Sequence, residues 1–106
     1  MDSKARFLVT SVPRAPDCIV EVSGDLTGDD VQRLETWLWG CLAYMSDRLI
    51  VDLAGVTAIG STGLVVLVEA RKQGTVVGTE MLIRSPAPVV EEAIDAANLG
   101  DVLPVI

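Results

Sequence analysis

The chain has no histidine among its 106 residues, only 4% aromatic residues, two cysteines and eight lysines and arginines. Each scarcity excludes something. Without histidine there is no Ser-His-Asp triad, no usual general base near neutral pH, and none of the commonest metal ligand. With so few aromatics, the core must be built from Val, Leu, Ile and Ala. The cations Lys4, Arg6, Arg14, Arg33, Arg48, Arg71, Lys72 and Arg84 are scattered and form no basic stripe, against a net charge of −7. Such a surface does not neutralise phosphates, so no direct nucleic-acid partner is expected, and an anionic membrane repels it for the same reason. Cys18 and Cys41 match no zinc or redox spacing; two buried thiols in a reducing cytoplasm are expected.

The same search finds no targeting or catalytic signature. The N-terminus MDSKARFLVTSV has no apolar h-region, so no signal peptide is expected. The longest uncharged stretch, Leu53 to Val68, falls short of a membrane span and is interrupted by Gly, Ser and Thr. No Walker loop is present, and Gly60-Ser61-Thr62-Gly63 lacks the spacing of a nucleophile elbow. Asp29-Asp30 and Glu91-Glu92 are adjacent, so on a helix they point in different directions and read as solvated capping charges. The expectation is a non-enzymatic, cytoplasmic protein with no cofactor and no metal.

What is present is half hydrophobic, enough for one globular domain over residues 1–106. Arg6–Val12 reads as a strand stopping at Pro13. A turn at Arg14–Asp17 leads to a second strand, Cys18–Val22, ended by Ser23-Gly24-Asp25, and the pair reads as an antiparallel hairpin. Thr27-Gly28-Asp29-Asp30 opens a helix with Thr27 or Asp29 as cap. Val31, Leu34, Leu38, Cys41, Leu42 and Met45 then recur at helical spacing and define one buried stripe. Trp37 and Tyr44 flank it on one side and Trp39 on the other, read as core-edge packing rather than a binding face.

Leu49–Leu53 reads as a central strand, and Ala54–Gly63 as a small-residue loop. In Leu64–Gln73 two signals conflict. The valines favour a strand, whereas the Ser/Thr cap ahead and Gly74 behind favour a helix, and the helix is the reading adopted. A strand at Glu80–Ile83, a helix at Val89–Ala97 behind Pro86 and Pro88, and an extended piece at Val102–Ile106 complete the order. Strands separated by helices predict an α/β fold with a small, mixed, mostly parallel sheet, an N-terminal antiparallel hairpin and helices packed on it. A helix carrying Leu64, Val65, Val66, Leu67 and Val68 cannot bury all of them, so Val65 or Val66 is expected to stay exposed as the apolar centre of an interface.

The segment Val51-Asp52-Leu53-Ala54-Gly55-Val56, followed by Gly60-Ser61-Thr62-Gly63-Leu64, resembles the signature of the STAS family, the anti-sigma factor antagonists and their relatives. Val22-Ser23-Gly24-Asp25-Leu26 resembles the family's segment ahead of its first helix, and Asn98-Leu99 with Val102 its C-terminal end. The resemblance implies a STAS-like fold and a partner, an anti-sigma factor that is a serine kinase of GHKL type. Binding it would release a sigma factor. It also implies a phospho-acceptor at Ser61, with Thr62 secondary, and a phosphatase that reverses the modification. Asp25, Gly60, Ser61, Thr62, Gly63, Val65 and Val66 are the partner-binding residues this suggests. Gly60 departs from the family pattern, which has Asp there. Two other readings stand beside it: an unphosphorylated STAS module that senses a ligand or nucleotide or acts as a scaffold, and a small enzyme built on Asp25, Asp52 and Ser61. Ser61 also reads as a plain helix cap.

Overall fold

The computed structural model describes residues 8–14, 17–43 and 47–106. Their elements are β1 (Leu8–Arg14), β2 (Asp17–Leu26), α1 (Asp30–Leu42), β3 (Arg48–Ile59), α2 (Ser61–Val77), β4 (Glu80–Arg84) and α3 (Pro88–Ala96). The four strands form one sheet in the order β1-β2-β3-β4. β2, β3 and β4 run parallel, and β1 lies antiparallel to β2 along the outer edge. β1 does not stop at Pro13 but continues to Arg14, since an edge position tolerates the missing N–H. The expected turn residues Ala15 and Pro16, and Tyr44 and Met45 of the expected helical stripe, lie outside the described residues.

Alternation along the strands selects the core. Val20 and Val22 of β2, Leu49, Val51 and Leu53 of β3, and Met81 and Ile83 of β4 point to one side. There they join Leu34 and Leu38 of α1, Leu67 of α2 and Val90 of α3 in a single cluster. Each such fully buried aliphatic side chain contributes roughly 1.5–3 kcal/mol of transfer free energy. The alternate residues carry a charged row across the sheet. Arg84 donates two hydrogen bonds to Asp52 and lies 3.8 Å from Glu21. Near the other end, Arg48 donates to both carboxylate oxygens of Asp17 at 2.9 Å, which raises its pKa above the usual value.

Both long strands outrun their sequence boundaries. β2 does not end at Ser23-Gly24-Asp25, and the expected loop Ala54–Ile59 is strand. The two extensions pair with each other, Ser23 with Gly55, Gly24 with Val56 and Leu26 with Ile59, across two register shifts. Val56 is buried there. Small residues with weak β-propensity are held extended by that pairing and not by their own preference.

α1 buries the expected stripe of Val31, Leu34, Leu38, Cys41 and Leu42. Of the two expected caps, Asp29 holds the N-cap position and Thr27 does not. No side chain caps α1, and the Thr27 hydroxyl donates instead to Asp25. Trp37 and Trp39, expected at the core edge, are 42% and 39% exposed, so each keeps a large open face while more than half of it is covered. α2 also passes its expected end at Gly74 and stops at Gly78, which takes the left-handed conformation with φ of 85°. Gly74 is buried inside the helix, and Thr79 passes so close that a Cβ there would lie 2.6 Å from its carbonyl oxygen, so the position requires glycine. The C-terminal segment returns to β4, where Ile83 donates to Pro104 and accepts from Ile106, both at 2.8 Å.

Candidate functional site

The bulged extension of β2 and β3 determines where the hydroxyl pair sits. Asp25 is in register with Ala58 and Leu26 with Ile59, and the Gly60 N–H donates to the Leu26 carbonyl at 3.3 Å. The chain therefore carries Asp25–Thr27 alongside Gly60 and the start of α2. Gly60, with φ −103° and ψ 178°, is the N-cap residue, and the Leu64 N–H donates to its carbonyl. Ser61 thus lies inside the first turn, and no side chain makes a capping bond. The capping role assigned to Ser61 from sequence fails because the turn begins one residue earlier.

The consequence is a free hydroxyl at a positive helix end. Ser61 and Thr62 are both exposed, and no acidic residue sits in the first turn of α2. First-turn N–H groups have no intrahelical acceptor, and with the dipole they favour an anion at this end. Gly63 holds the turn against the sheet: a Cβ there would meet Ile59 at 3.0 Å and the Leu26 carbonyl oxygen at 3.1 Å. Gly63 is itself buried, so it acts by permitting that approach and not by contact with a partner.

The valines divide as helical geometry requires. Val65 is 57% exposed, whereas Val66 is 7% exposed and belongs to the core. Val66 is therefore not available to a partner, contrary to the pairing of the two valines in one interface. Beside Ser61 and Val65 opens an apolar cleft of about 300 Å³ that also takes Leu64, Val68 and Glu69 from α2 and Ala97 and Leu99 from beyond α3. Ala97 was missed from sequence. It is small and distant along the chain, and only the packing of α3 brings it to Ser61.

The third sequence reading, an Asp25–Asp52–Ser61 enzyme site, is not assembled in this way. Asp52 alternates with core residues Val51 and Leu53, so it projects from the opposite sheet face. There it accepts hydrogen bonds from Arg84 and from the Ala54 N–H. Asp25 is engaged by Thr27. Among the described residues no group of acidic or cysteine side chains is placed to hold a metal ion, and no helix is long and apolar enough to cross a membrane.

No curated protein matches the chain by sequence. Solved structures do match. An anti-sigma factor antagonist from Mycobacterium paratuberculosis superposes with a TM-score of 0.80 at 23% identity, covering 94% of this chain and 85% of its own. A putative anti-sigma factor antagonist from Thermotoga maritima gives 0.78 at 21% identity, over 93% and 84%. The Bacillus cell fate determinant SpoIIAA in its phosphorylated form gives 0.71 at 14% identity, over 95% and 91%. At these identities the likeness is one of fold. The family model for the STAS domain spans residues 8–106, from β1 through the segment that returns to β4, and the chain belongs to the STAS domain family.

Proposed function

We propose that this chain is a cytoplasmic anti-sigma factor antagonist, a binding protein and not an enzyme. It engages an anti-sigma factor that is a serine kinase of GHKL type and so frees a sigma factor. The kinase transfers the γ-phosphoryl group of ATP to the Ser61 hydroxyl, with Thr62 as a secondary acceptor, and a phosphatase hydrolyses the ester. The interface comprises Asp25, Gly60, Ser61, Thr62 and Val65 around the cleft, with Gly63 and Val66 supporting it from beneath. The observation that carries this reading is the exposed Ser61 hydroxyl inside the first turn of α2, at the mouth of an apolar cleft. Proteins of similar fold include anti-sigma factor antagonists, among them SpoIIAA, whose structure is also known in a phosphorylated form, which supports it.

The switch follows from charge. A phosphate adds about −1.5 to −2 charges and three acceptor oxygens. At a helix N-terminus that charge is tolerated, with a favourable interaction of up to ~2 kcal/mol, so the fold survives. Beneath a partner the dianion must lose water, at a cost on the order of 2–5 kcal/mol. At about 1.4 kcal/mol per tenfold, affinity falls by at least ~30-fold. The test uses purified protein and its cognate kinase: Ser61→Ala binds with or without ATP, and Ser61→Asp binds at least ~30-fold more weakly at an unchanged melting temperature. Phosphate on neither Ser61 nor Thr62, together with undiminished binding of Ser61→Asp, overturns the switch. Gly60 in place of the family's Asp, together with the apolar cleft, favours a second reading. In it, an unphosphorylated STAS module senses a ligand or nucleotide, or acts as a scaffold. A small molecule retained through purification, with no transfer to Ser61, is the outcome that selects it.

A further inference from the structure

A second surface lies at the far edge of the sheet, where the chain returns to β4. Ile83 bonds to Pro104 and Ile106, so Val105 between them is the bridge residue of a parallel pair. In a parallel ladder the peptide groups of such a residue point away from its neighbour strand. Among the described residues Val105 accordingly makes no backbone hydrogen bond. Val105 is 51% exposed and Ile106 61% exposed, and no charged side chain lies between Val102 and Ile106 to guard this edge. Among the described residues nothing pairs with this side of Val105, and such an apolar edge is a template for strand addition.

The surroundings specify what would pair. A groove of about 500 Å³ runs beside the edge, lined by Glu91, Ile94, Asp95, Gly100, Leu103 and Val105. From Ser85 to Ile106 the chain has Glu91, Glu92, Asp95 and Asp101 but no lysine or arginine. Arg71, which reaches this end, is committed to the carbonyls of Met81 and Val102 at 3.1 Å. Val105 and Leu103 share the sheet face that carries α3, whereas Ile106 lies on the other face. An added strand would therefore turn alternate side chains toward the carboxylates of Glu91 and Asp95, and the intervening ones toward Ile106.

We propose that this edge accepts an extended segment of a protein partner as a further strand beside Val105. In that segment lysine or arginine alternates with a branched apolar residue. This surface is separate from Ser61 and does not depend on the switch. The probe is a synthetic peptide of alternating lysine and valine, titrated at low salt into the isotope-labelled chain, with a glutamate-valine peptide as its counterpart. The expected result is that the lysine peptide shifts the amides of Val105, Ile106 and Ile83 and the glutamate peptide does not. Val105→Pro, which removes an unpaired N–H, and the Glu91→Lys/Asp95→Lys pair each weaken binding by about tenfold or more. The charge-matched pair Asp29→Lys/Asp30→Lys and Ser61→Glu leave it unchanged. Equal weakening by Asp29→Lys/Asp30→Lys would show only diffuse attraction to an acidic protein and overturns the proposal. Shifts confined to other residues overturn it too. So does a dimer that Val105→Pro dissolves, since a second copy would then occupy the edge.

Discussion

Replacing Val65 and Val66 one at a time separates the two faces of α2 within a single peptide step. Val65 is 57% exposed and Val66 is 7% exposed. Burying a valine is worth roughly 1.5 kcal/mol or more, and an aspartate in its place must also be desolvated without a partner. Val66→Asp is thus expected to cost at least about 3 kcal/mol, a large part of the ~5–15 kcal/mol typical of a domain. At roughly 4–8 °C per kcal/mol for a chain near this length, the melting temperature falls by about 12 °C or more. Because that variant could fail to fold, Val66→Ala is the informative companion, with an expected loss of about 1–3 kcal/mol. Val65→Asp loses little water-shielded surface and stays within about 0.5 kcal/mol of wild type. The same substitution puts a carboxylate in the apolar centre of the proposed interface and should abolish capture of the anti-sigma kinase. Urea unfolding followed by circular dichroism gives the stabilities, and the midpoint is read at constant slope. If Val65→Asp loses as much stability as Val66→Ala, Val65 is a core residue and the interface argument fails.

Two further outcomes test the packing. Gly74→Ala places a methyl group 2.6 Å from the Thr79 carbonyl oxygen; backbone must move, at about 1–3 kcal/mol, which cancels or exceeds the ~1 kcal/mol that alanine gains in a helix, so the melting temperature does not rise. A raised melting temperature would show that the Thr79 carbonyl does not crowd Gly74 in this way. Cys18 and Cys41 are 2% and 5% exposed and not joined in a disulfide, so a thiol reagent should label them only as fast as the protein opens, and rapidly in concentrated guanidinium. Immediate labelling of either in native buffer contradicts their place in the core.

The sequence by itself determined whatever depends on water avoidance with a fixed period. The stripe Val31, Leu34, Leu38, Cys41 and Leu42, the core strands around Val20 and Val51, and the absence of a histidine-based site were all legible. So was the Gly60–Gly63 motif that carries the family resemblance. Tertiary structure decided the fate of small or ambiguous residues. Ala54–Ile59 became strand because the β2 extension pairs with it, and Gly74 stayed inside α2, with Thr79 crossing close above it. Trp37 and Trp39 have a spacing that fits either flank packing or exposure, and only the neighbours decide that each is partly covered and partly open. The choice of Val65 over Val66 needed the exact rotation of α2. The gathering of Ala97 and Leu99 beside Ser61 needed α3. Local composition encodes which groups leave water, but not which backbone arrives to cover them, and at this site the covering segments come from thirty or more residues away.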